Sequence, residues 1–324
     1  MSLFITSLNS GSNGNCYYIG NDREAILVDA GISCRETEKR LRRLGLEIGK
    51  IKAIFISHEH SDHIRGLEVL AKKYDLPVYI TEATRQNGGL TLHEHRSIAF
   101  RAHEPVCVGE LTITAFPKVH DAADPYSFVI SSGEIKIGVF TDLGIPCEQL
   151  IHHFQQCHAA FLEANYDEEM LDKGSYPFHL KKRIRGGSGH LSNKQALDLF
   201  LAYRPPFMTH LLLSHLSQNN NDPDLVRGLF APYAGTTRII IASRYEETAV
   251  YAIEYDPSIA VSFVPAGMIG RPGTVGGQEA GMPAIAGKNV VAGKLAATEK
   301  SAVVRKPGRG RALSGAGTNQ ISLF

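Results

Sequence analysis

The chain has 324 residues, of which 43% are apolar and 21% charged, and a net charge of +1. That is apolar side chain enough for one large core or two ordinary ones. No apolar run approaches the roughly 20 residues that cross a bilayer, which rules out a transmembrane helix, and the opening Met1–Ser7 lacks the basic and apolar regions of a secretion signal. Five scattered cysteines with no C-x-x-C pair argue against a disulfide scaffold or a thiolate zinc site, and for a reducing, cytoplasmic setting.

In chain order, short runs rich in Val, Ile, Phe and Tyr predict strands at Leu3–Leu8, Cys16–Ile19 and Ala25–Asp29. A helix is expected at Ser33–Leu44, a strand at Ala53–Ser57, a helix at Ile64–Tyr74 and a strand at Val78–Thr81. Strands follow at Leu111–Phe116, Tyr126–Ser131 and Ile135–Phe140, the last two turning at Ser132-Gly133. The pattern then alternates: helix Cys147–Gln155, strand Ala160–Glu163, helices Phe178–Arg185 and Ser192–Tyr203, strand Met208–Ser214, helix Asp222–Phe230, strands Arg238–Ala242 and Ala249–Glu254. Ser192 and Gln195 have the spacing of a capping box. Strands outnumber helices and include hairpins, so the fold class is α/β in mixed layers, not a purely parallel sheet. After Pro257 the periodicity dissolves. Residues 258–324 hold twelve glycines and eight Lys/Arg against two Asp/Glu, and are read as a disordered basic tail behind a domain of residues 1–257. The domain itself is mildly acidic, which argues against a broad nucleic-acid-binding face but not against a local groove.

The strongest chemical signal is His58-Glu-His60-Ser-Asp62-His63, directly after the apolar run Ala53–Ser57. Three imidazoles and a carboxylate leaving one strand end face one pocket, and such nitrogen and oxygen donors suit zinc or manganese. His93-Glu-His95 mimics half of this, but no apolar strand feeds it. The H-x-H-x-D-H motif resembles the first metal motif of the metallo-β-lactamase superfamily. The resemblance implies a four-layer αβ/βα sandwich holding two divalent metal ions. It implies further ligands at strand ends, and His120, Asp142 and His215 each end an apolar run. Carried over residue by residue, it places His58, His60 and His120 on one metal, Asp62, His63 and His215 on the other, and Asp142 on both. Two dications so held share and acidify a hydroxide that attacks phosphorus. The all-His/Asp set departs from the cysteine-containing β-lactamases, and Glu59 is expected to point away.

The block Gly187-Ser-Gly189-His190-Leu-Ser192-Asn193 follows the basic run Lys181-Lys182-Arg183-Ile-Arg185. Glycine amides at a helix start make an anion site, so Lys182, Arg183, His190, Ser192 and Asn193 are expected to bind substrate phosphate. With Leu213–Asn220, Ser10–Cys16 and Glu163–Asp167, this block resembles the YycJ/WalJ type of bacterial exonuclease over about residues 2–255. That resemblance implies 5′-to-3′ digestion of DNA, from a single strand or a duplex end, in repair or genome maintenance, with Asp62, Asp142 and His190 catalytic. A ribonuclease or a small-molecule phosphodiesterase is the alternative within enzymes, and a non-catalytic clamp-associated adaptor the alternative outside them. Asn13-Gly14-Asn15 reads equally as a turn beside the metals and as a plain connection. Gln320-Ile321-Ser322-Leu323-Phe324 resembles the peptides that bind the bacterial sliding clamp, two apolar anchors (Leu323, Phe324) and an orienting amide (Gln320) on a tether.

Overall fold

The computed structural model describes residues 2–260. Its first half runs β1 (Ser2–Asn9), β2 (Cys16–Gly20), β3 (Ala25–Val28), α1 (Cys34–Arg43), β4 (Ile51–Phe55), α2 (Ser61–Ile64), α3 (Leu67–Tyr74), β5 (Val78–Tyr79), α4 (Glu82–Asn87) and β6 (Ser97–Ile98). The second half runs β7 (Pro105–Val108), β8 (Leu111–Pro117), β9 (Tyr126–Ser132), β10 (Ile135–Phe140), α5 (Glu148–Phe154), β11 (Ala159–Glu163), α6 (Glu168–Lys173), α7 (Phe178–Arg185), α8 (Asn193–Tyr203), β12 (His210–Ser214), α9 (Pro223–Phe230) and β13 (Arg238–Ile241). β14 (Tyr251–Glu254) and a helical turn, α10 (Pro257–Ala260), follow. The expected tail therefore starts inside a helical turn, and the rest of it lies outside the described residues. No helix among the described residues is long and apolar enough to cross a membrane.

Two seven-stranded sheets result, ordered β14-β1-β2-β3-β4-β5-β6 and β13-β12-β11-β10-β9-β8-β7. Each is antiparallel on one side and parallel on the other. β14/β1, β1/β2 and β2/β3 pair antiparallel and β3 to β6 pair parallel. β7 to β10 pair antiparallel and β10 to β13 parallel. Leu3, Ile5, Tyr17, Phe55, Phe128 and Phe161 form the core between the sheets. A second core packs the outer face of one sheet on α1 and α3, and a third packs the other sheet on α5, α8 and α9. This is the four-layer αβ/βα sandwich. Each fully buried Leu, Ile or Phe in those cores contributes about 1.5–3 kcal/mol of apolar transfer.

Every strand expected from the sequence is present. Two were missed: β6, two half-exposed residues, and β7, which begins with a proline and lies at the sheet edge. The expected helix Ile64–Tyr74 is two helices, and the first begins at Ser61, inside the histidine motif. The break falls at Gly66. Its N–H donates to the Ala30 carbonyl, and a Cβ there would collide with the Ile32 carbonyl. Gly31 lies equally close to the Asp62 carbonyl. The Asn15 N–H donates to the Asp62 carbonyl at 2.7 Å and the Ala30 N–H to the His63 carbonyl at 2.8 Å. The segment after β3 and the turn that carries Asp62 and His63 are thus pressed backbone to backbone, which only glycine permits. Gly66→Ala is expected to cost roughly 1–3 kcal/mol by overpacking. A melt of the purified variant several degrees below the parent checks it, and an unchanged melt would mean the contact yields freely.

Candidate metal centre

Each polar residue of the centre sits where an apolar strand stops. His58 comes three residues after β4, His60 caps α2, and Asp62 and His63 lie in its single turn. His120 follows β8, Asp142 follows β10, and His215 follows β12. Asp29, next after β3, and Asp142 and His215 all take left-handed backbone, with φ of 63°, 56° and 58°. Asp and His tolerate that region better than most residues, and here it ends the strand and turns the chain at once.

The expected residues meet in two groups. His58, His60 and His120 bring one ring nitrogen each within 4.8 Å of one another, and Asp62, His63 and His215 do the same with two nitrogens and a carboxylate oxygen. Asp142 lies between them. Its Oδ2 is 3.2 Å from His63 Nε2, while its Oδ1 is 3.5 Å from His215 Nε2 and 3.8 Å from His120 Nε2. His60 Nδ1 is 3.0 Å from His58 Nε2 and 3.4 Å from His120 Nε2.

The outward side of three rings is tied to a carboxylate or a carbonyl. His63 Nδ1 contacts Asp29 Oδ2 at 2.7 Å, His120 Nδ1 the Gly189 carbonyl at 3.0 Å, and His215 Nδ1 Glu163 Oε1 at 3.0 Å. A ring that donates its Nδ1–H outward presents the Nε2 lone pair inward. Asn15 donates to Asp62 Oδ2 at 3.0 Å. Sequence reading missed Asp29 and Glu163 in these roles. The usable signal was a carboxylate at the end of a fully buried strand, β3 and β11. The buried Lys118 was missed as well; its Nζ donates to the Thr141 carbonyl at 2.8 Å.

The donor set fits divalent cations. Imidazole nitrogens 3.0 to 3.4 Å apart repel unless a proton or a cation lies between them, and Asp142 Oδ2 is buried with no hydrogen bond. Burial drives the His58 and His60 pKa values down and that of His120 to about 3, which keeps these rings neutral. At His63 and His215 burial acts the same way but is outweighed by carboxylates, Asp142 foremost. The His215 pKa is raised to about 10 and that of His63 well above its usual range. Burial also works against the charge on Asp142, yet His215 and His63 hold its carboxyl well below the usual range.

The remaining expected residues divide. His190 Nδ1 contacts Glu163 Oε1 at 2.8 Å and lies 3.8 Å from Asp142 Oδ1, and its ring stands 5.3 Å from both His120 and His215. Arg183 pairs with Asp121, whose Oδ1 is 3.5 Å from His120 Nε2, so it is at the rim. Lys182 is exposed on α7. Ser192 and Asn193 do not form the expected anion site. Ser192 is fully buried, caps α8 and donates to Glu168 at 3.1 Å. The Asn193 side chain pairs reciprocally with Asn221. The Ser192 and Asn193 amides donate to Gln195 Oε1 and the Tyr166 carbonyl, so neither is open to a ligand. Glu59 points away, accepting from the Ala123 N–H at 2.7 Å. Of the two readings of Asn13-Gly14-Asn15, the one beside the centre holds for Asn15. His93 and His95 join none of the groups.

Comparisons place this geometry among known proteins. Residues 24–215 match the β-lactamase superfamily domain. The chain is 35% identical over 230 residues to exodeoxyribonuclease YycJ of Bacillus anthracis, covering 70% of this chain and 87% of that protein. It is 31% identical over 223 residues to exodeoxyribonuclease WalJ of Streptococcus pneumoniae, covering 67% and 83%. Among solved structures, the metallo-β-lactamase fold protein YhfI of Bacillus subtilis superposes with a TM-score of 0.61 at 18% identity, over 78% of this chain and all of that one.

Ligation needs neutral imidazole, so a cation must displace the protons that Asp142 and its neighbours keep on His63 and His215. Metal loading is therefore expected to release protons and to tighten as pH rises toward about 10, the pKa of His215. Calorimetric titration with Zn²⁺ or Mn²⁺ in buffers of differing ionisation enthalpy reads this directly. Uptake without proton release would show both rings already neutral.

Proposed function

This chain belongs to the β-lactamase superfamily and, within it, to the YycJ/WalJ exodeoxyribonuclease family, and on that premise we propose a metal-dependent phosphodiesterase that digests DNA from the 5′ end. The observation that carries the reading is the pair of donor groups joined through Asp142. His58, His60 and His120 would hold one divalent ion, zinc or manganese, and Asp62, His63 and His215 the other. When bound, the pair supplies an acidified water and positive charge for the phosphate oxygens.

The chain's own residues do the rest. Asp142 sets negative charge between the two groups. Asp29 and Glu163 fix the rings of His63 and His215 in the tautomer that ligates. Glu163, ionised because His190 and His215 outweigh its burial and lower its pKa to about 2, also grips His190. His190, held through Nδ1, then presents Nε2 at the mouth of the centre, to contact a phosphoryl oxygen beside the departing 3′ oxygen. The all-His/Asp donor set and the exodeoxyribonuclease names of the relatives support this over a role as adaptor. The setting is the cytoplasm, in DNA repair or genome maintenance, with Gln320, Ile321, Leu323 and Phe324 docking the sliding clamp; that peptide lies outside the described residues.

With metal restored after chelation, 5′-labelled DNA is expected to release labelled nucleotide first, and Asp142→Ala to abolish turnover. Release only from RNA or from small phosphodiesters would end the DNA reading. Deleting Gln320–Phe324 is expected to remove sliding-clamp binding, measured by surface plasmon resonance; equal binding by the truncated chain would reject the peptide's role.

A further inference from the structure

Lys118 is 6% exposed and is the one lysine among the described residues that is buried. Lysine stems ordinarily lie along apolar surface and carry the ammonium out to water. Here the stem turns inward. Lys118 and His120 are both buried and the less buried Val119 lies between them, so the two side chains leave the end of β8 on the same side of the chain. The segment is clamped. The Lys118 N–H donates to the Pro125 carbonyl at 3.1 Å, and the Val119 carbonyl accepts from the Gly144 N–H at 2.7 Å. The ammonium donates to the Thr141 carbonyl, one residue before Asp142, and forms no ion pair with a carboxylate among the described residues.

As packing this is unfavourable. An enclosed ammonium loses its hydration, and a methionine would fill the same space without that loss. Burial works against the charge and lowers the Lys118 pKa, while the carboxylates of the centre, Asp142 foremost and then Asp29, Glu163 and Asp62, act to keep the proton on. In the loaded centre this charge has no counterpart. With the ligating rings neutral, those four carboxylates balance two dications, and Arg183 and Asp121 balance each other at the rim. Lys118 is then one positive charge in excess.

We propose that Lys118 is a positioning residue that acts through its charge: a fixed internal cation that draws an anion, hydroxide or a phosphate oxygen, onto the loaded centre and loosens the centre's grip on the cations themselves. The inference rests on the two-cation reading and assigns Lys118 a part in it. Both effects have one origin, because a buried charge is weakly screened and acts on the metals and on the anion with opposite sign.

The test uses the full chain with Lys118→Met, which removes the charge and the donor, and Lys118→Gln, which removes the charge and retains an amide donor. Zn²⁺ affinity is read by competition with a chelator, and inorganic phosphate affinity by calorimetry on the Zn²⁺-loaded protein. Both variants are expected to bind Zn²⁺ roughly tenfold tighter and phosphate roughly tenfold weaker than the parent. A damaged centre would weaken both, so the opposite signs separate charge from structure. Weakening of both affinities, an effect confined to Lys118→Met, or affinities equal to the parent's would overturn the proposal. So would failure of both variants to fold with Zn²⁺ present, which would make Lys118 a packing requirement. If the parent itself does not take up two Zn²⁺ ions, it is the two-cation reading that fails; if it does and the variants match it, only the role of Lys118 is rejected.

Discussion

Five imidazoles and four carboxylates occupy one water-poor pocket, and their mutual electrostatics set the terms for everything around it. Asp29, Asp62, Asp142 and Glu163 are all at most 5% exposed. Unpaired, a single buried carboxylate costs several kcal/mol. Here each has a backbone amide, a side-chain amide or a ring nitrogen in reach, and Asp142 Oδ2, 3.2 Å from His63 Nε2, is the one that makes no hydrogen bond. Around that oxygen, rings held neutral by burial on the His58 side face rings kept charged by carboxylates on the His63 side. The asymmetry follows from where Asp29, Asp62 and Glu163 are placed, all three against His63 or His215.

Both sheets contribute. β3 and β4 supply Asp29 and the 58–63 turn; β8, β10, β11 and β12 supply His120, Asp142, Glu163 and His215. Neither sheet holds a full set for either group plus the bridge. A bound cation therefore ties the two halves of the sandwich together, and its binding free energy adds to the stability of their packing. Left-handed turns at Asp29, Asp142 and His215 make this geometry possible, because they turn the chain within two residues of three strand ends and keep those side chains at the pocket.

Much of this was legible in the sequence, for a physical reason. A ligand that must end a buried strand is written as a polar residue after an apolar run, and His58, His120, Asp142 and His215 each carry that mark. Asp29 and Glu163 carry it too, but a carboxylate that holds a histidine has no spacing of its own, so only the folded chain shows its partner. Ser192 and Asn193 illustrate the opposite error. Ser192 scored both as a helix cap and as an anion ligand, and one hydroxyl and one amide cannot serve both; the cap took them. The two-residue strand Ser97–Ile98 is too short to show a period of two, and Gly66 divides a helix that its apolar spacing had joined.

Among the described residues, the first strand pairs with the last. β1 lies between β2 and β14, with Leu3 opposite Ile253 and Ile5 opposite Tyr251, and the Thr6 hydroxyl donates to the Thr248 carbonyl. Nearly 250 residues separate these partners. During synthesis the amino-terminal strand thus emerges with one flank of its backbone unsatisfied, and keeps it so until almost the whole domain has left the ribosome. Such long-range closure slows folding, and an open edge invites pairing with another nascent chain in the interval.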